Sequence, residues 1–179
     1  NKNNVDPQDV EKEGFNVLKN SKYANRVYMY DSERDSFMIA LKALGYSMNT
    51  ENLDEINEAY EWLLELDRNV NPAYVTDEVI DSMVNGEKDL AVVYSGDAAY
   101  ILSENDEMDY YMPESGTNVW VDAMVIPANA KCPALAHEFI NFILTDDASY
   151  DNSATVGYAS SNKNVLDEMI AAGGEFEGN

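Results

Sequence analysis

Two side chains suited to binding an organic cation stand close together in the chain, Trp120 and Asp122. They belong to an apolar run that predicts a β-strand over residues 119–126, ahead of Pro127. Because side chains two positions apart in a strand share a face, the indole ring and the carboxylate would project together. Aromatic faces and carboxylates both attract cations, so the pattern predicts a site for an organic cation. The alternative is a buried Trp followed by an Asp near a turn.

The net charge supports a cationic ligand without identifying one. The chain has 34 Asp and Glu against 11 Lys and Arg, a formal net charge of −23 over 179 residues. A surface this acidic repels nucleic acid and anionic lipid, so we expect no nucleic-acid partner. The same charge would also keep an exported or salt-adapted protein soluble, and that interpretation stays open.

Residues for covalent or metal chemistry are scarce. Cys132 and His137 are the single cysteine and the single histidine, which excludes an internal disulfide and nearly excludes a catalytic triad. His137 has no second histidine four positions on, so the zinc-protease pattern is missing and we expect it on a helix surface. The Asp31-x-Glu33-x-Asp35 run lacks the glycine and distal Glu of a calcium loop and fits a helix cap better. We therefore expect no enzyme activity, no metal and no cofactor.

The elements that would position the candidate residues follow from hydrophobic periodicity. A strand over residues 27–30 leads into a helix capped by Ser32 with Asp35 and stopped by Gly45. Trp62 falls near the apolar stripe of the next helix and is expected in the core or at its rim. Further helices are expected over residues 53–66, 76–84 (N-cap Thr76), 98–102 and 135–144 (Leu135, Ala136, Phe139, Ile140 and Ile143 inward), and further strands over 90–94 and 110–112. This order predicts an α/β sheet domain, preceded by a polar connecting segment over residues 1–25.

The order of segments resembles the polyamine (spermidine/putrescine) substrate-binding proteins of bacterial ABC transporters. The resemblance covers residues from about 12 to 169 and depends on the co-occurrence of several segments rather than on any one. These are Val27-Tyr28-Met29-Tyr30-Asp31-Ser32-Glu33-Arg34-Asp35-Ser36-Phe37, Ala43-Leu44-Gly45-Tyr46-Ser47-Met48-Asn49, Trp120-Val121-Asp122-Ala123-Met124, Ile126-Pro127-Ala128-Asn129-Ala130, Phe139-Ile140-Asn141-Phe142-Ile143-Leu144 and Gly157-Tyr158.

The resemblance implies one lobe of a type II periplasmic-binding-protein-like fold, a mixed sheet flanked by helices. Family members hold the polyamine in a cleft between two lobes. On this basis residues 1–25 would cross from a missing first lobe, residues 26–158 would form the ligand-binding lobe, and residues 159–179 would begin the return segment. With half of the cleft missing, binding by this chain is expected to be millimolar or undetectable.

The resemblance also implies roles for five residues. Trp120 would stack on the polyamine methylenes and Asp122 would pair with an amine. Asp35 matches a cleft carboxylate that resembles Glu in the family, so its reach is one methylene shorter. Tyr94 takes a position often held by Trp, and Tyr158 would complete the aromatic wall. The shorter acid at Asp35 and the smaller ring at Tyr94 leave open whether the ligand is spermidine, putrescine or another amine.

The implied function is solute recognition for import, with permease subunits in the membrane as partners. Two other functions stay open: a lobe for another small organic cation, such as thiamine or an amino sugar, and an acidic extracellular module that binds cations diffusely. We expect an exported protein, periplasmic or anchored outside the cell, or fused to a permease. No apolar run approaches the roughly 18 residues of a membrane span, and the polar start is no signal peptide.

Overall fold

A computed structural model describes residues 1–171 and 173–174. The chain forms two compact units, Asn1–Val119 and Trp120–Asn179. The first unit contains α1 (Pro7–Glu13), 3₁₀ helices at Gly14–Lys19 and Ser21–Tyr23, β1 (Val27–Tyr30), α2 (Glu33–Ala43), α3 (Leu53–Val70), β2 (Ala73–Val75), α4 (Glu78–Val84), β3 (Leu90–Ala91) and α5 (Ser95–Glu104); the second contains α6 (Pro133–Ile143), α7 (Asp146–Val156) and α8 (Lys163–Ile170).

A parallel sheet organises the first unit and confirms the α/β fold. Its strand order is β2-β1-β3, and Tyr30 of β1 pairs with Val75 while Tyr28 pairs with Ala91. All four residues of β1 are buried, as expected for a central strand covered on both faces. Both pairings are parallel, whereas the family resemblance implied a mixed sheet.

Helix α2 begins as the capping pattern predicts. The Ser32 Oγ accepts a hydrogen bond from the Asp35 backbone N–H at 3.3 Å, and a side-chain oxygen that satisfies such an unpaired N–H typically adds about 1 kcal/mol. The chain leaves the helix through Gly45, whose φ of 82° lies in the region that glycine tolerates best. The strand and the cap together place Asp35 in the first turn of a helix that begins three residues after the end of β1.

Helix α3 supplies much of the core. Its buried residues Ala59, Trp62, Leu66 and Val70 form one stripe at helical spacing. The Trp62 side chain is 3% exposed and its indole N–H donates to Asn16 Oδ1 at 2.8 Å. The predicted core position of Trp62 is confirmed, and the helix continues to Val70, beyond the expected residue 66.

Residues 1–25 pack into the first unit despite their polar composition. Val17, Leu18 and Tyr23 are buried in the same core cluster as α3. The Tyr23 hydroxyl donates to Asp9 Oδ2 at 2.9 Å. The segment thus contains short helices and core residues, which the sequence pattern did not indicate.

Several expected strands do not form within the described residues. Residues 110–112 and 119–126 have no regular secondary structure. Val119, Val121 and Val125 are 92%, 87% and 82% exposed. A strand is stable only when a neighbouring strand satisfies its backbone and its apolar side chains are covered. Neither condition is met here, so the apolar pattern alone gave a wrong prediction.

Two other predicted boundaries and one predicted face also differ. Strand β3 ends at Ala91 rather than at residue 94, and α4 begins at Glu78 with Asp77, not Thr76, at the N-cap position. On α6, Leu135 and Phe139 are 65% and 57% exposed, not inward. Periodicity identifies the apolar face of a helix but not whether a surface is present to cover it.

In the described part of the chain, no helix has both the length and the apolar character needed to cross a bilayer.

Replacing Asp89 with asparagine should destabilise the first unit. Asp89 is 3% exposed and accepts hydrogen bonds from Asn4 Nδ2 and from Arg26 Nε and Nη2. The hydrogen-bonded Arg26 guanidinium holds the pKa of Asp89 below its usual value. The Arg26 side chain is 46% exposed, so water weakens its interaction with Asp89. We expect the free energy of unfolding to fall by about 1–3 kcal/mol at neutral pH, measured by urea unfolding.

The pH dependence follows from the direction of that shift. A carboxyl group whose pKa is lower in the folded state contributes stability above its unfolded pKa, and this contribution disappears as the pH falls through the folded pKa. The difference in unfolding free energy between wild type and Asp89→Asn should therefore become smaller in strong acid. Asp106→Asn, at an exposed carboxylate of the same unit, should leave stability unchanged, and an equal effect of both variants would contradict the prediction.

Candidate functional site

Two stacked tyrosines mark the carboxyl edge of the sheet. Tyr30 is the last residue of β1 and Tyr94 follows the neighbouring strand β3 by three positions. Their ring centroids are 4.3 Å apart with an interplanar angle of 25°, and the Tyr94 backbone N–H donates to the Tyr30 hydroxyl at 2.9 Å. The carboxyl ends of parallel strands are where open α/β sheets bind ligands.

Each tyrosine hydroxyl donates to a carboxylate. The Tyr94 hydroxyl donates a hydrogen bond to Asp35 Oδ2 at 2.8 Å, and the Tyr30 hydroxyl donates one to Asp97 Oδ2 at 2.7 Å. Asp35 lies in the first turn of α2 and Asp97 in the first turn of α5, where the helix dipole favours negative charge. The edge therefore combines aromatic rings with carboxylates, the groups that an organic cation requires.

The Tyr30 hydroxyl is protonated at neutral pH, as phenols are, and burial favours that state further. Tyr30 is 5% exposed, and its pKa is raised first by this burial and then by the hydrogen bond to Asp97. A phenol that stays neutral donates its proton to Asp97 at any physiological pH. Tyr94 is more exposed than Tyr30 and could therefore contact a ligand.

The second unit contains another aromatic pair. The rings of Trp120 and Tyr158 lie 6.0 Å apart at 75°, an edge-to-face arrangement. Tyr158 follows Gly157, whose left-handed conformation at φ 72° ends α7 and turns the chain. Trp120 is 40% exposed and Asp122 is exposed. Because residues 119–126 form no strand, the alternation argument does not place the Trp120 and Asp122 side chains on one face.

The structure brings four of the five predicted residues into contact with one another, Asp35 with Tyr94 and Trp120 with Tyr158. Sequence reasoning missed Tyr30 and Asp97 as residues of the candidate site. One signal could have found Tyr30, because the carboxyl ends of parallel neighbouring strands meet at one sheet edge. The ligand-binding roles of the five predicted residues stay predictions.

The single histidine and the single cysteine of the chain both lie at the surface. His137 on α6 and Cys132 just before it are exposed. Within residues 1–171 and 173–174, no group of three or more His, Cys, Asp or Glu side chains is placed to hold a metal ion.

Comparison with known proteins identifies the family. Residues 2–177 match the family described as bacterial extracellular solute-binding protein. The spermidine/putrescine-binding periplasmic protein of Salmonella typhimurium is 33% identical over 162 residues, which is 90% of this chain and 46% of that protein. The chain therefore spans about half the length of the curated relatives it matches.

Solved structures agree with this assignment. A putative spermidine/putrescine ABC transporter protein from Listeria monocytogenes aligns with a TM-score of 0.82 at 34% identity, covering 93% of this chain and 50% of that one. The spermidine/putrescine ABC transporter substrate-binding protein PotD from Streptococcus pneumoniae aligns with a TM-score of 0.73 at 30% identity, covering 92% and 50%. The chain belongs to the bacterial extracellular solute-binding proteins.

Proposed function

We propose that this chain is part of a solute-binding protein that recognises a polyamine, such as spermidine or putrescine, for an ABC importer. The observation that carries the proposal is the Tyr94 hydroxyl bonded to Asp35 at the carboxyl edge of the sheet. Relatives that share about a third of its residues are named for spermidine and putrescine. The protein binds its solute without making or breaking covalent bonds, so it is not an enzyme.

The groups that a polyamine needs are present in each of the two units taken separately. Its methylene chain needs flat apolar surfaces, and its ammonium groups need carboxylates. Tyr94 and Asp35 supply a ring and an acid in the first unit, and Trp120, Tyr158 and Asp122 supply rings and an acid in the second. A cation–π contact contributes about 0.5–2 kcal/mol and a charged hydrogen bond about 1.5–3 kcal/mol. Because this chain supplies a few such contacts, we propose that its affinity is weak and millimolar rather than undetectable.

The exposed apolar side chains of the second unit support the proposal that this chain is part of a larger protein. Val121, Leu135, Phe139 and Phe142 are 87%, 65%, 57% and 64% exposed, more apolar exposure than a small unit normally carries. We propose that they pack against the remainder of a two-lobed protein, since the matched relatives are about twice as long. The proposed boundaries stay residues 1–25, 26–158 and 159–179, of which Ala172 and 175–179 lie outside the described residues.

The proposed place of action is outside the cytoplasm. Matched relatives are named periplasmic, and a periplasmic or externally anchored solute-binding protein would deliver its ligand to permease subunits in the membrane. Whether this protein is free, anchored or fused to its permease is decided by fractionating cells that produce the natural gene product.

The experiment that tests the ligand compares Asp35→Asn with Glu33→Gln by NMR titration with spermidine. Asp35→Asn removes the charge but keeps the backbone N–H that Ser32 caps and an oxygen for the Tyr94 hydroxyl. We expect the Tyr94 amide to need about ten times more spermidine, or more, for half of its shift, because a charged hydrogen bond is lost.

Glu33→Gln is the matched control because it removes the same charge from the same helical turn, at an exposed position. It should leave the titration of the Tyr94 amide nearly unchanged. Equal weakening in both variants would mean that the ligand responds to the overall acidic field, and the specific role of Asp35 would be wrong.

A further inference from the structure

We propose that Tyr30, held by Asp97, is a positioning residue that fixes Tyr94 and, through Tyr94, the Asp35 carboxylate for an amine ligand. Tyr30 and Asp97 lie outside the set of residues predicted to touch the ligand. The ligand part of this inference rests on the proposed function; the structural part, that Tyr30 holds Tyr94, does not.

The hydrogen bonds at Tyr30 have only one possible direction. The backbone N–H of Tyr94 can only donate, so the Tyr30 oxygen accepts from it at 2.9 Å. The single hydroxyl proton of Tyr30 is then directed to Asp97 Oδ2 at 2.7 Å. Both bonds lie beside a ring that is 5% exposed, and such bonds are stronger in a low-dielectric environment. The hydroxyl therefore has a defined orientation.

This arrangement holds Tyr94 at three points. Its backbone N–H is bonded to Tyr30, its ring face stacks on the Tyr30 ring at 4.3 Å, and its hydroxyl donates to Asp35. Tyr94 also occupies the N-cap position of α5. With three contacts the ring and the carboxylate are ordered before a ligand arrives.

Order before binding raises affinity because less conformational freedom is lost on association. Each rotatable side chain that is already ordered contributes about two- to tenfold in affinity. Tyr30 acts through Tyr94 rather than by contact, since its own ring is buried. Removing its hydroxyl should therefore weaken binding without removing a ligand contact.

The test compares Tyr30→Phe with Tyr28→Phe in this chain. Tyr28 is in the same strand, is 7% exposed and donates to Glu87 Oε2 at 3.1 Å, so each variant loses one hydroxyl and one carboxylate partner. In Tyr30→Phe we expect the Tyr94 amide proton to move upfield and to exchange faster with deuterium. The spermidine concentration for half of the shift at Asp35 should rise about fivefold. Tyr28→Phe should change neither.

Two variants of Asp97 separate positioning from general destabilisation. Asp97→Asn keeps an oxygen that can accept from Tyr30 and should retain most of the wild-type Tyr94 amide shift. Asp97→Ala removes the acceptor and should reproduce part of the Tyr30→Phe effect. Far-UV circular dichroism of every variant checks that the fold is kept.

Three results would overturn the inference in distinct ways. If the shift and the exchange rate of the Tyr94 amide proton change no more in Tyr30→Phe than in Tyr28→Phe, Tyr30 does not hold Tyr94. If the amide changes while the spermidine response does not, the ligand part is wrong. If wild type shows no spermidine response at Tyr94 or Asp35, the proposed ligand and the ligand part both fail, while the amide shift still decides the structural part.

Discussion

Replacing Trp120 with alanine is expected to abolish the localised response of the second unit to spermidine. The indole ring is 40% exposed and lies edge-to-face with Tyr158, so it combines accessible π surface with a supported position. Loss of a central aromatic residue from a ligand site costs about 2 kcal/mol or more, a weakening of about thirtyfold. Starting from millimolar affinity, this would move saturation beyond measurable concentrations.

The measurement follows the Tyr158 amide and ring resonances during a spermidine titration. Val121→Ala is the control because it shortens an 87% exposed neighbour of Trp120 without removing a ring, and it should titrate like wild type. Trp120→Phe should give an intermediate response, since phenylalanine keeps a smaller aromatic face. A Trp120→Ala protein that still saturates at the wild-type concentration would remove Trp120 from the site.

Replacing Leu66 with alanine is expected to cost the first unit about 3 kcal/mol of unfolding free energy. Leu66 is fully buried on the stripe of α3 that packs into the core. Truncation loses the transfer free energy of the deleted methyl groups and leaves a cavity that the surrounding helices close only partly. Because a domain is typically stable by only 5–15 kcal/mol, this would be a large share of the total.

The matched control is Leu53→Ala on the same helix, where the side chain is 72% exposed. Its effect should stay within about 0.5 kcal/mol. Urea unfolding is followed by the indole resonance of Trp62, which reports on the first unit through its bond to Asn16. Similar losses for both variants would show that α3 does not pack as described.

Local features of the first unit could be predicted because each depends on neighbours in sequence. The Ser32 cap and the position of Trp62 in or near the core follow from residue spacing, and the structure confirms both. The parallel pairing of the sheet could not be predicted from these patterns. It depends on which strands meet after long connections, and hydrophobic periodicity carries no information on partners.

The failure at residues 119–126 has a physical cause of the same kind. Alternating and apolar residues indicate that a segment can form a strand, but a strand needs a partner. Val121 and Val125 are mostly exposed, so burial of their side chains does not stabilise a strand there. The same reasoning explains why the apolar face of α6 is exposed although its sequence indicated an inward face.

The candidate site was predicted in part. Asp35 and Tyr94 were named from the resemblance, and the structure places them in hydrogen-bond contact. Tyr30 and Asp97 were not, because a buried strand tyrosine and an acid in a helical first turn have ordinary structural explanations in sequence. Only the distances between them show that they support Tyr94.

The most direct test of polyamine recognition is a spermidine titration of this chain at about 0.15 M salt, where diffuse charge attraction is largely screened. The chain has two tryptophans, so one indole resonance reports on the candidate site and the other, from buried Trp62, serves as an internal reference. We predict that the Trp120 indole shifts and saturates at millimolar spermidine while the Trp62 indole stays in place. Shifts spread evenly over the acidic surface that fade with added salt, or no shift at Trp120, would contradict the proposal.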